Sequence, residues 1–497
     1  MLVTEEIMNQ YDATIGIECH VQLATKTKLF SGADNDAREA PPNTKVSPIC
    51  FGLPGVLPVL NKEAITLAIR AGIALNAELN EISRFDRKHY FYPDLPLGYQ
   101  ITQSELPTIG PGVVEVPFEN GLLKVRVHHA HLEADAGKLT HPAGAGYSLV
   151  DLNRAGTPLI EVVSEPDMHS PAEAKAFAQE LHLRMTYAGV TAGNLYYGNM
   201  RFDVNVSVAK KGASELGART ETKNLNSFKS VEKAVAYEIK RQIEELEKGN
   251  TITQETRGWD DAKQRTFAQR SKENAHDYRY FPEADIPPIG LNQAAIETIR
   301  FELTPQLPPA IRERLRAKGL PAQDITTLFL YPLLLDRLLQ LEDKADNKTF
   351  KQISDLLINV LPAAFDGLEP EMYSKTSTAL PRAAALTELI GLVNEGQISS
   401  SSAKTILLEC WQSLQNPKAE AEQRGLIQES DEDAISAIVA EVLADPASAK
   451  AIADIQAGNE RTIGYLVGQV MKRSEGKANP ALAQQLIRKR MSLYASR

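Results

Sequence analysis

The sequence predicts an α+β fold, in which a large and mainly antiparallel sheet is followed by helices alone. Short β-rich runs alternate with turn signals from about residue 12 to 290, and three helical patterns lie between them. After the proline-rich stretch 282–288, apolar residues recur at threes and fours. We therefore expect an α+β cradle domain over 1–299, an all-α helical domain over 300–424 and a small helical tail domain over 425–497.

The individual elements follow from the period of the apolar residues. Alternating polarity and one short apolar run predict strands over 14–23, 122–129, 159–163 and 201–208. Helical spacing predicts the helices of the first domain over 62–77, 171–188 and 230–247. The same spacing predicts helices in the rest of the chain over 307–320, 325–341, 350–365, 431–444, 448–457, 460–471 and 480–491.

Composition excludes several classes of protein. The 497 residues are 43% hydrophobic and 24% charged, as in globular proteins. The formal net charge of −10 disfavours a general affinity for polyanions, so any contact with nucleic acid must be local. No run reaches the roughly 18 apolar residues that span a bilayer, and the first residues lack the features of a secretory signal. We therefore expect a cytoplasmic protein.

The first candidate site lies on the strand predicted over 14–23. Glu18 and His20 are two residues apart, so their side chains share one face while Ile17 and Cys19 share the other. A carboxylate and an imidazole on rigid backbone can bind a metal ion. An ordinary solvated strand face would show the same alternation.

Two further segments carry acidic residues. Glu133 and Asp135 share a strand face, with His131 beside them. Glu161 interrupts the apolar run 159–163, and a carboxylate inside a buried strand costs several kcal/mol unless it is paired or bound to a metal.

If Glu18, His20, Glu133 and Glu161 converge, they form a site of three carboxylates and one imidazole. Such an oxygen-rich site suits Mg²⁺, which commonly bridges nucleotide phosphates and so favours phosphoryl transfer. The alternative is that Glu161 only forms an ion pair with a basic side chain, Arg154 or Lys138.

Polar residues also alternate in the segments 201–208 and 219–226. The residues that could bind a charged substrate or its phosphate are Asp203, Asn205, Arg219, Glu221 and Lys223 in these segments, with Arg154 and Arg279 elsewhere in the chain. The aromatic and charged segment 274–283, which contains Arg279, could stack on a base or pack as an ordinary loop. Basic residues dominate 472–497, where Lys472, Arg473 and Lys477 could contact a nucleic-acid backbone or stabilise a helix end.

Eight segments of the chain form an ordered set of motifs. They are 15–23 (IGIECHVQL), 52–61 (GLPGVLPVLN), 87–94 (RKHYFYPD), 131–138 (HLEADAGK), 151–161 (DLNRAGTPLIE), 219–228 (RTETKNLNSF), 277–283 (DYRYFPE) and 468–480 (GQVMK and GKANP). Taken together, these segments resemble the B subunit family of the glutamine-dependent aspartyl/glutamyl-tRNA amidotransferases. The resemblance covers about residues 13–491.

The resemblance implies an ATP-dependent ligase that forms a carbon–nitrogen bond. It implies that the first domain phosphorylates the side-chain carboxylate of Glu-tRNA(Gln), Asp-tRNA(Asn) or both, and that ammonia from glutamine displaces the phosphate. It also implies a heterotrimer with a glutaminase (amidase) partner, the A subunit, and a small C subunit, with ATP and Mg²⁺ as cofactors. The matching metal ligands are Glu18, His20, Glu133 and Glu161, Lys88 matches a residue of the ammonia channel, and the helical segment and tail match the tRNA-binding part.

The sequence departs from the family pattern at two places. Many relatives have zinc-binding cysteines at and upstream of the position of Cys50, whereas only Cys50 remains here, so we expect no structural zinc. Leu97 stands where many relatives have a lysine that is a proposed gate of the ammonia path.

Two rival interpretations use the same residues. One is a metal-dependent phosphohydrolase, and the other is an RNA-binding scaffold in which these side chains are structural.

Overall fold

The computed structural model describes residues 4–269, 278–365, 380–428, 432–456, 459–474 and 478–494. Its strands are β1 Tyr11–Gln22, β2 Ala77–Leu79, β3 Ile82–Ser83, β4 Asp86–His89, β5 Tyr99–Thr102, β6 Ile109–Phe118, β7 Gly121–Ala134, β8 Lys138–Thr140, β9 Leu149–Asp151, β10 Pro158–Ser164, β11 Met200–Lys210, β12 Thr220–Leu225, β13 Glu255–Asp260, β14 Arg265–Ala268, β15 Phe281–Pro282 and β16 Ile289–Gly290.

The α-helices of the described residues begin with a single turn near the start of the chain. They are α1 Glu5–Met8, α2 Lys62–Ala74, α3 Pro171–Tyr187, α4 Phe228–Glu247, α5 Gln293–Leu303, α6 Pro308–Ala317, α7 Ala322–Leu330, α8 Pro332–Leu339, α9 Asn347–Phe365, α10 Ala383–Asn394, α11 Ser400–Cys410, α12 Pro417–Gln423, α13 Glu432–Ala444, α14 Ala449–Gln456, α15 Ile463–Arg473 and α16 Pro480–Tyr494. Short 3₁₀ helices occupy Pro48–Phe51, Thr304–Gln306, Pro446–Ser448 and Glu460–Thr462.

The chain forms two compact units, Met1–Ile311 and Arg312–Arg497. The first contains a twelve-stranded sheet, with a main path of β14-β13-β12-β11-β1-β10-β7-β5-β4-β15 and with β6 and β2 added beside β7. The pairing is antiparallel except between β12 and β13. The second unit is helical. The predicted α+β class is therefore confirmed, whereas the predicted division of the helical part at residue 424 stays a prediction.

One face of the sheet is covered by helices and forms the core of the first unit. On β1, Ile15, Ile17, Cys19 and Val21 are all at most 1% exposed and pack in this core with side chains of α2, α3 and α4. Residues at the N-terminus of α3 stabilise the start of this helix. The N-cap hydroxyl of Ser170 accepts a hydrogen bond from the backbone N–H of Glu173 at 3.2 Å, and Pro171 occupies the first turn.

In the second unit, the helix predicted over 325–341 is wrong as a single element. The structure has α7 and α8 there, separated at Tyr331. Pro332 causes the break, because it lacks an N–H and disfavours helical backbone at the residue before it. Tyr331 accordingly has φ −124° and ψ 74°.

No helix in the described parts of either unit is long and apolar enough to cross a membrane.

A buried carboxylate joins α4 to the end of the sheet. Glu238 is fully buried and accepts hydrogen bonds from Thr220 Oγ1 and Arg241 Nη2, each at 2.8 Å, and also from Thr266 Oγ1. Arg257 Nε lies 3.1 Å from its other oxygen. Burial opposes the charge, but the hydrogen bond and charge of Arg241 outweigh it and hold the pKa of Glu238 below its usual value.

We predict that Glu238→Ala lowers the free energy of unfolding of the first unit by about 3–5 kcal/mol, because it removes the buried carboxylate that pairs with Arg241 and Arg257. Urea unfolding monitored by Trp259 fluorescence, in a Trp411→Phe background, measures this change. Glu232→Ala, on the same helix as Glu238, removes a partly exposed ion pair with Lys175 of α3 and serves as the control, with little expected effect. Equal effects of the two substitutions would contradict the prediction.

Candidate active site

The face of the sheet opposite the core carries the predicted site residues. On β1, Glu18 and His20 both lie on this face, as their spacing requires. The antiparallel register places His20 opposite Glu161 of β10, and Glu161 opposite His131 of β7. Glu133 lies two residues along β7 from His131. Three neighbouring strands therefore bring their acidic and imidazole side chains to one place.

His20, Glu133 and Glu161 form what we call the histidine–glutamate cluster. One ligand atom from each lies within 4.8 Å of the others. His20 Nε2 is 3.4 Å from Glu161 Oε2 and 3.6 Å from Glu133 Oε1. His131 Nε2 approaches the same two carboxylates at 3.6 and 3.7 Å. Glu161 therefore pairs with His20 and His131. It does not pair with Arg154 or Lys138, as the alternative interpretation required.

The charges within this cluster stabilise one another. Burial opposes the charge on His20, but the hydrogen bond to Glu161 and the charges of Glu161 and Glu133 outweigh it and raise the pKa of His20 to about 9. Burial likewise opposes ionisation of Glu161, yet the hydrogen bond and charge of His20, with the charges of His131 and Lys88, hold the pKa of Glu161 well below its usual value. A proton on His20 therefore offsets part of the negative charge of the two carboxylates.

Lys88 lies beside the cluster among aromatic rings. Its ammonium is 4.8 Å from the centre of the Tyr278 ring and 5.8 Å from that of Tyr90, both distances suited to cation–π contact. Burial opposes its charge, but Tyr280 and the carboxylates of Glu133 and Glu161 outweigh burial and raise the pKa of Lys88. The lysine is therefore a cation facing the carboxylates.

Glu18 belongs to a second group, the acidic cluster, with Asp203 and Glu221. The four residues predicted to share one cation thus divide between two clusters, because successive side chains on one strand face are about 6.8 Å apart. Lys223 Nζ lies 3.2 Å from Asp203 Oδ2 and 3.3 Å from Glu221 Oε1. Burial opposes the charge on Lys223, but these two carboxylates outweigh it and raise the lysine's pKa.

Both clusters line one cavity of about 790 Å³. The predicted metal ligands Glu18, His20, Glu133 and Glu161 and the predicted channel residue Lys88, which together are the expected catalytic residues, all line it. Four of the predicted substrate residues line it as well: Asp203, Arg219, Glu221 and Lys223. Sequence reasoning did not select Tyr90, Gln100, Asp135, Arg201, Asn224, Gln254 and Tyr278, which also line it. Arg201 and Asp135 shared strand faces with selected residues, so alternation could have found them. Gln254 precedes β13 in a loop, where no periodic signal exists.

The remaining predicted residues lie elsewhere. Arg154 Nη2 donates to Asp135 Oδ2 at 2.7 Å, so it supports a residue of the cavity. Arg279 is exposed, and its carbonyl oxygen lies 3.1 Å from His89 Nδ1. In the second unit, Lys472 and Arg473 end α15, and Arg473 pairs with Asp445. Lys477 lies outside the described residues.

Nearly the whole chain is similar to proteins of one known family. Residues 13–297 match the family described as "GatB/GatE catalytic domain", and residues 342–491 match the "GatB domain" family. A protein of Carboxydothermus hydrogenoformans, named as the B subunit of aspartyl/glutamyl-tRNA(Asn/Gln) amidotransferase, is 42% identical over 98% of this chain and 100% of its own length.

Two other similar proteins are named as the same subunit. One from Clostridium acetobutylicum is 44% identical over 96% of this chain and 98% of its own length. One from Trichodesmium erythraeum is 43% identical over 99% of this chain and 100% of its own length. The chain therefore belongs to the family of aspartyl/glutamyl-tRNA(Asn/Gln) amidotransferase B subunits.

Proposed function

We propose that this chain is the B subunit of a glutamine-dependent tRNA amidotransferase, a ligase that converts Glu-tRNA(Gln) to Gln-tRNA(Gln), Asp-tRNA(Asn) to Asn-tRNA(Asn), or both. Likeness over the full length to relatives named for this activity carries the proposal. The cavity with its two carboxylate clusters supports it, because it lies within the residues that match the catalytic-domain family. We assign the phosphorylation and amidation of the aminoacyl group to this cavity.

The histidine–glutamate cluster has the donors that a hard divalent cation requires. One imidazole nitrogen and two carboxylate oxygens lie within 4.8 Å of one another, and the acidic cluster offers three carboxylates within the same limit. Oxygen-rich donor sets of this kind suit Mg²⁺. His20, Glu133 and Glu161 would hold one ion, and Glu18 would contribute to the acidic cluster. Bound Mg²⁺ would neutralise charge on the phosphoryl group during its transfer from ATP.

The chain's own cations complement the substrates. A carboxylate is a poor electrophile, so its oxygen first attacks the γ-phosphorus of ATP and ADP leaves. Ammonia then attacks the carbonyl carbon, phosphate leaves and a proton is lost. Lys88, Arg219 and Lys223 line the cavity and can offset the repulsion between the incoming carboxylate and the phosphates.

Ammonia must arrive uncharged, because ammonium has no lone pair with which to attack. A route shielded from bulk water keeps it so at neutral pH. We assign its source to a partner amidase, the A subunit of a heterotrimer that a small C subunit completes. Lys88, between the aromatic rings and the carboxylates, is the residue that we place at the end of this route.

We assign the tRNA body to the helical part of the chain, with Lys472, Arg473 and Lys477 as phosphate contacts of the tail. The tail helices have an apolar core of their own, which includes Val439, Leu466 and Ile487. Arg473 also lies 3.7 Å from Glu441, so part of its charge is already balanced within the tail. We therefore expect Lys472 to contribute more than Arg473 to tRNA binding.

A buried lysine lies beside Cys50, in the region where the family resemblance implies zinc ligands in many relatives. Lys28 is 1% exposed, and its ammonium donates to Ala155 O at 2.7 Å and lies 3.3 Å from Cys50 Sγ. A buried cation beside the one cysteine opposes binding of a second cation there.

We accordingly predict that the purified complex carries far less than one zinc per chain. Elemental analysis by mass spectrometry measures this directly. A stoichiometric zinc content that is lost in Cys50→Ser would show that Cys50 is a ligand and would contradict the prediction.

Reconstitution tests the function as a whole. We predict that the chain, combined with its two partner proteins, glutamine, ATP and Mg²⁺, forms Gln-tRNA or Asn-tRNA from the misacylated tRNA. Parallel assays with Glu-tRNA(Gln) and Asp-tRNA(Asn) identify the substrate. Phosphate release that needs neither tRNA nor the amidase partner, without amide formation, would instead indicate a phosphohydrolase.

Replacing one ligand tests the histidine–glutamate cluster. We predict that Glu161→Gln lowers amide formation by the assembled complex more than about 100-fold, because loss of even an indirect metal partner costs about 10–100-fold. Amidase activity on glutamine should persist.

The matched control is Glu115→Gln, which removes an exposed carboxylate of β6 paired with Lys124 at 3.2 Å. This variant should retain normal amide formation. Full activity of Glu161→Gln would assign the cluster a structural role only, as in an RNA-binding scaffold.

A further inference from the structure

A buried lysine lies outside the large cavity, on the loop that follows β1. Lys28 is 1% exposed, and it is not among the described residues that line that cavity. Its ammonium donates to Ala155 O at 2.7 Å, and to Leu152 O and Cys50 Sγ at 3.3 Å each. An ammonium has three N–H donors, so these three acceptors use all of them. The long side chain is therefore held in one position.

The two carbonyl oxygens that Lys28 binds lie on either side of Arg154. The backbone N–H of Ala155 donates to Leu152 O at 3.0 Å, which closes a tight turn with Arg154 at its third position. Without the ammonium, Ala155 O would keep only the thiol of Cys50, a weak donor at 3.4 Å. A buried carbonyl oxygen that loses its donor is costly, so Lys28 stabilises this turn.

The same turn is bonded to the end of β7. The backbone N–H of Gly156 donates to Asp135 O, and that of Asp135 donates to Thr157 O, both at 2.9 Å. Arg154 holds the side chain of Asp135, because its Nε and Nη2 donate to Asp135 Oδ2 at 3.0 and 2.7 Å. The turn that Lys28 stabilises therefore fixes both the backbone and the carboxylate of Asp135.

Asp135 connects this turn to the large cavity. It lines the cavity, two residues after Glu133 along the chain. Arg201 Nη2 lies 3.5 Å from Asp135 Oδ2. Arg201 lines the cavity as well and stands opposite His20 in the antiparallel register of β1 and β11. A shift of Asp135 would thus reach residues next to the histidine–glutamate cluster.

We propose that Lys28 is a positioning residue for the amidotransferase reaction, acting through Arg154 and Asp135 without touching a substrate. The inference rests on the proposed function. A misplacement of about 1 Å at groups that orient a substrate can cost about 100-fold in rate, even when the substituted residue lies far from the chemistry. The contacts from Lys28 to Asp135 form a continuous series through which such a misplacement would reach the cavity.

Removing the ammonium tests the assignment. We expect Lys28→Met, in the assembled complex, to lower kcat for amide formation about tenfold or more, because methionine fills the space but binds neither carbonyl oxygen. Amidase activity on glutamine should persist. The matched control is Lys45→Met, which removes a partly exposed ion pair with Asp34 from the same loop and should leave amide formation unchanged. An unchanged kcat in Lys28→Met would overturn the proposal.

A double-mutant cycle separates positioning from a general loss of stability. Arg154→Met alone should lower kcat by at least a similar factor. Adding Lys28→Met to it should lower kcat no further, because both substitutions remove the same support of Asp135. Additive losses in the double variant would overturn the proposal. A normal kcat in Arg154→Met would also overturn it, even if Lys28→Met failed to fold.

Hydrogen exchange keeps this inference apart from the proposed function. The backbone amides of Asp135, Gly156 and Thr157 should exchange faster in Lys28→Met than in the wild type, because their hydrogen bonds belong to the turn. Unchanged exchange, in a complex whose wild-type form makes the amide, would overturn the role of Lys28 alone. Faster exchange, in a complex whose wild-type form makes no amide, would support the role of Lys28 in the turn and contradict the proposed function.

Discussion

The polar face of the sheet depends on keeping the Glu161 carboxylate ionised inside an otherwise apolar strand. Leu159, Ile160 and Val162 are at most 2% exposed, and an unpaired charge among such residues costs several kcal/mol. His20 and His131 reach this carboxylate from the two neighbouring strands, at 3.4 and 3.6 Å. The register of three strands therefore both stabilises β10 and assembles the histidine–glutamate cluster.

The same register couples the core to the site. Because side chains alternate along β1, a slip of one residue would place Glu18 and His20 in the core and expose Ile17 and Cys19. The apolar face, packed against the helices, makes any such slip very costly. The core thus fixes the position of the clusters, and the site residues need no separate support to share a face.

The difference between local sequence patterns and strand register explains what the sequence could predict. Alternation and helical spacing are local patterns, so the fold class and the shared face of Glu18 and His20 followed from them. Which side chains meet across strands depends on register, which no local pattern contains. Sequence reasoning therefore placed Glu18 with His20, whereas β11 and β12 bring Asp203 and Glu221 to it. A periodic pattern also continued through Pro332, where the proline ends a helix that the spacing alone would extend.

Part of the negative charge of each cluster is already offset within the protein. The raised pKa of His20 favours its protonated form beside Glu133 and Glu161, and Lys223 Nζ contacts Asp203 and Glu221. Under the proposed function, a divalent cation would have to displace the proton of His20 and the ammonium of Lys223, which would weaken its binding to the protein alone. Nucleotide phosphates would offer the displaced lysine a new partner and would bring ligands for the cation. Cation and nucleotide would then each bind more tightly in the presence of the other.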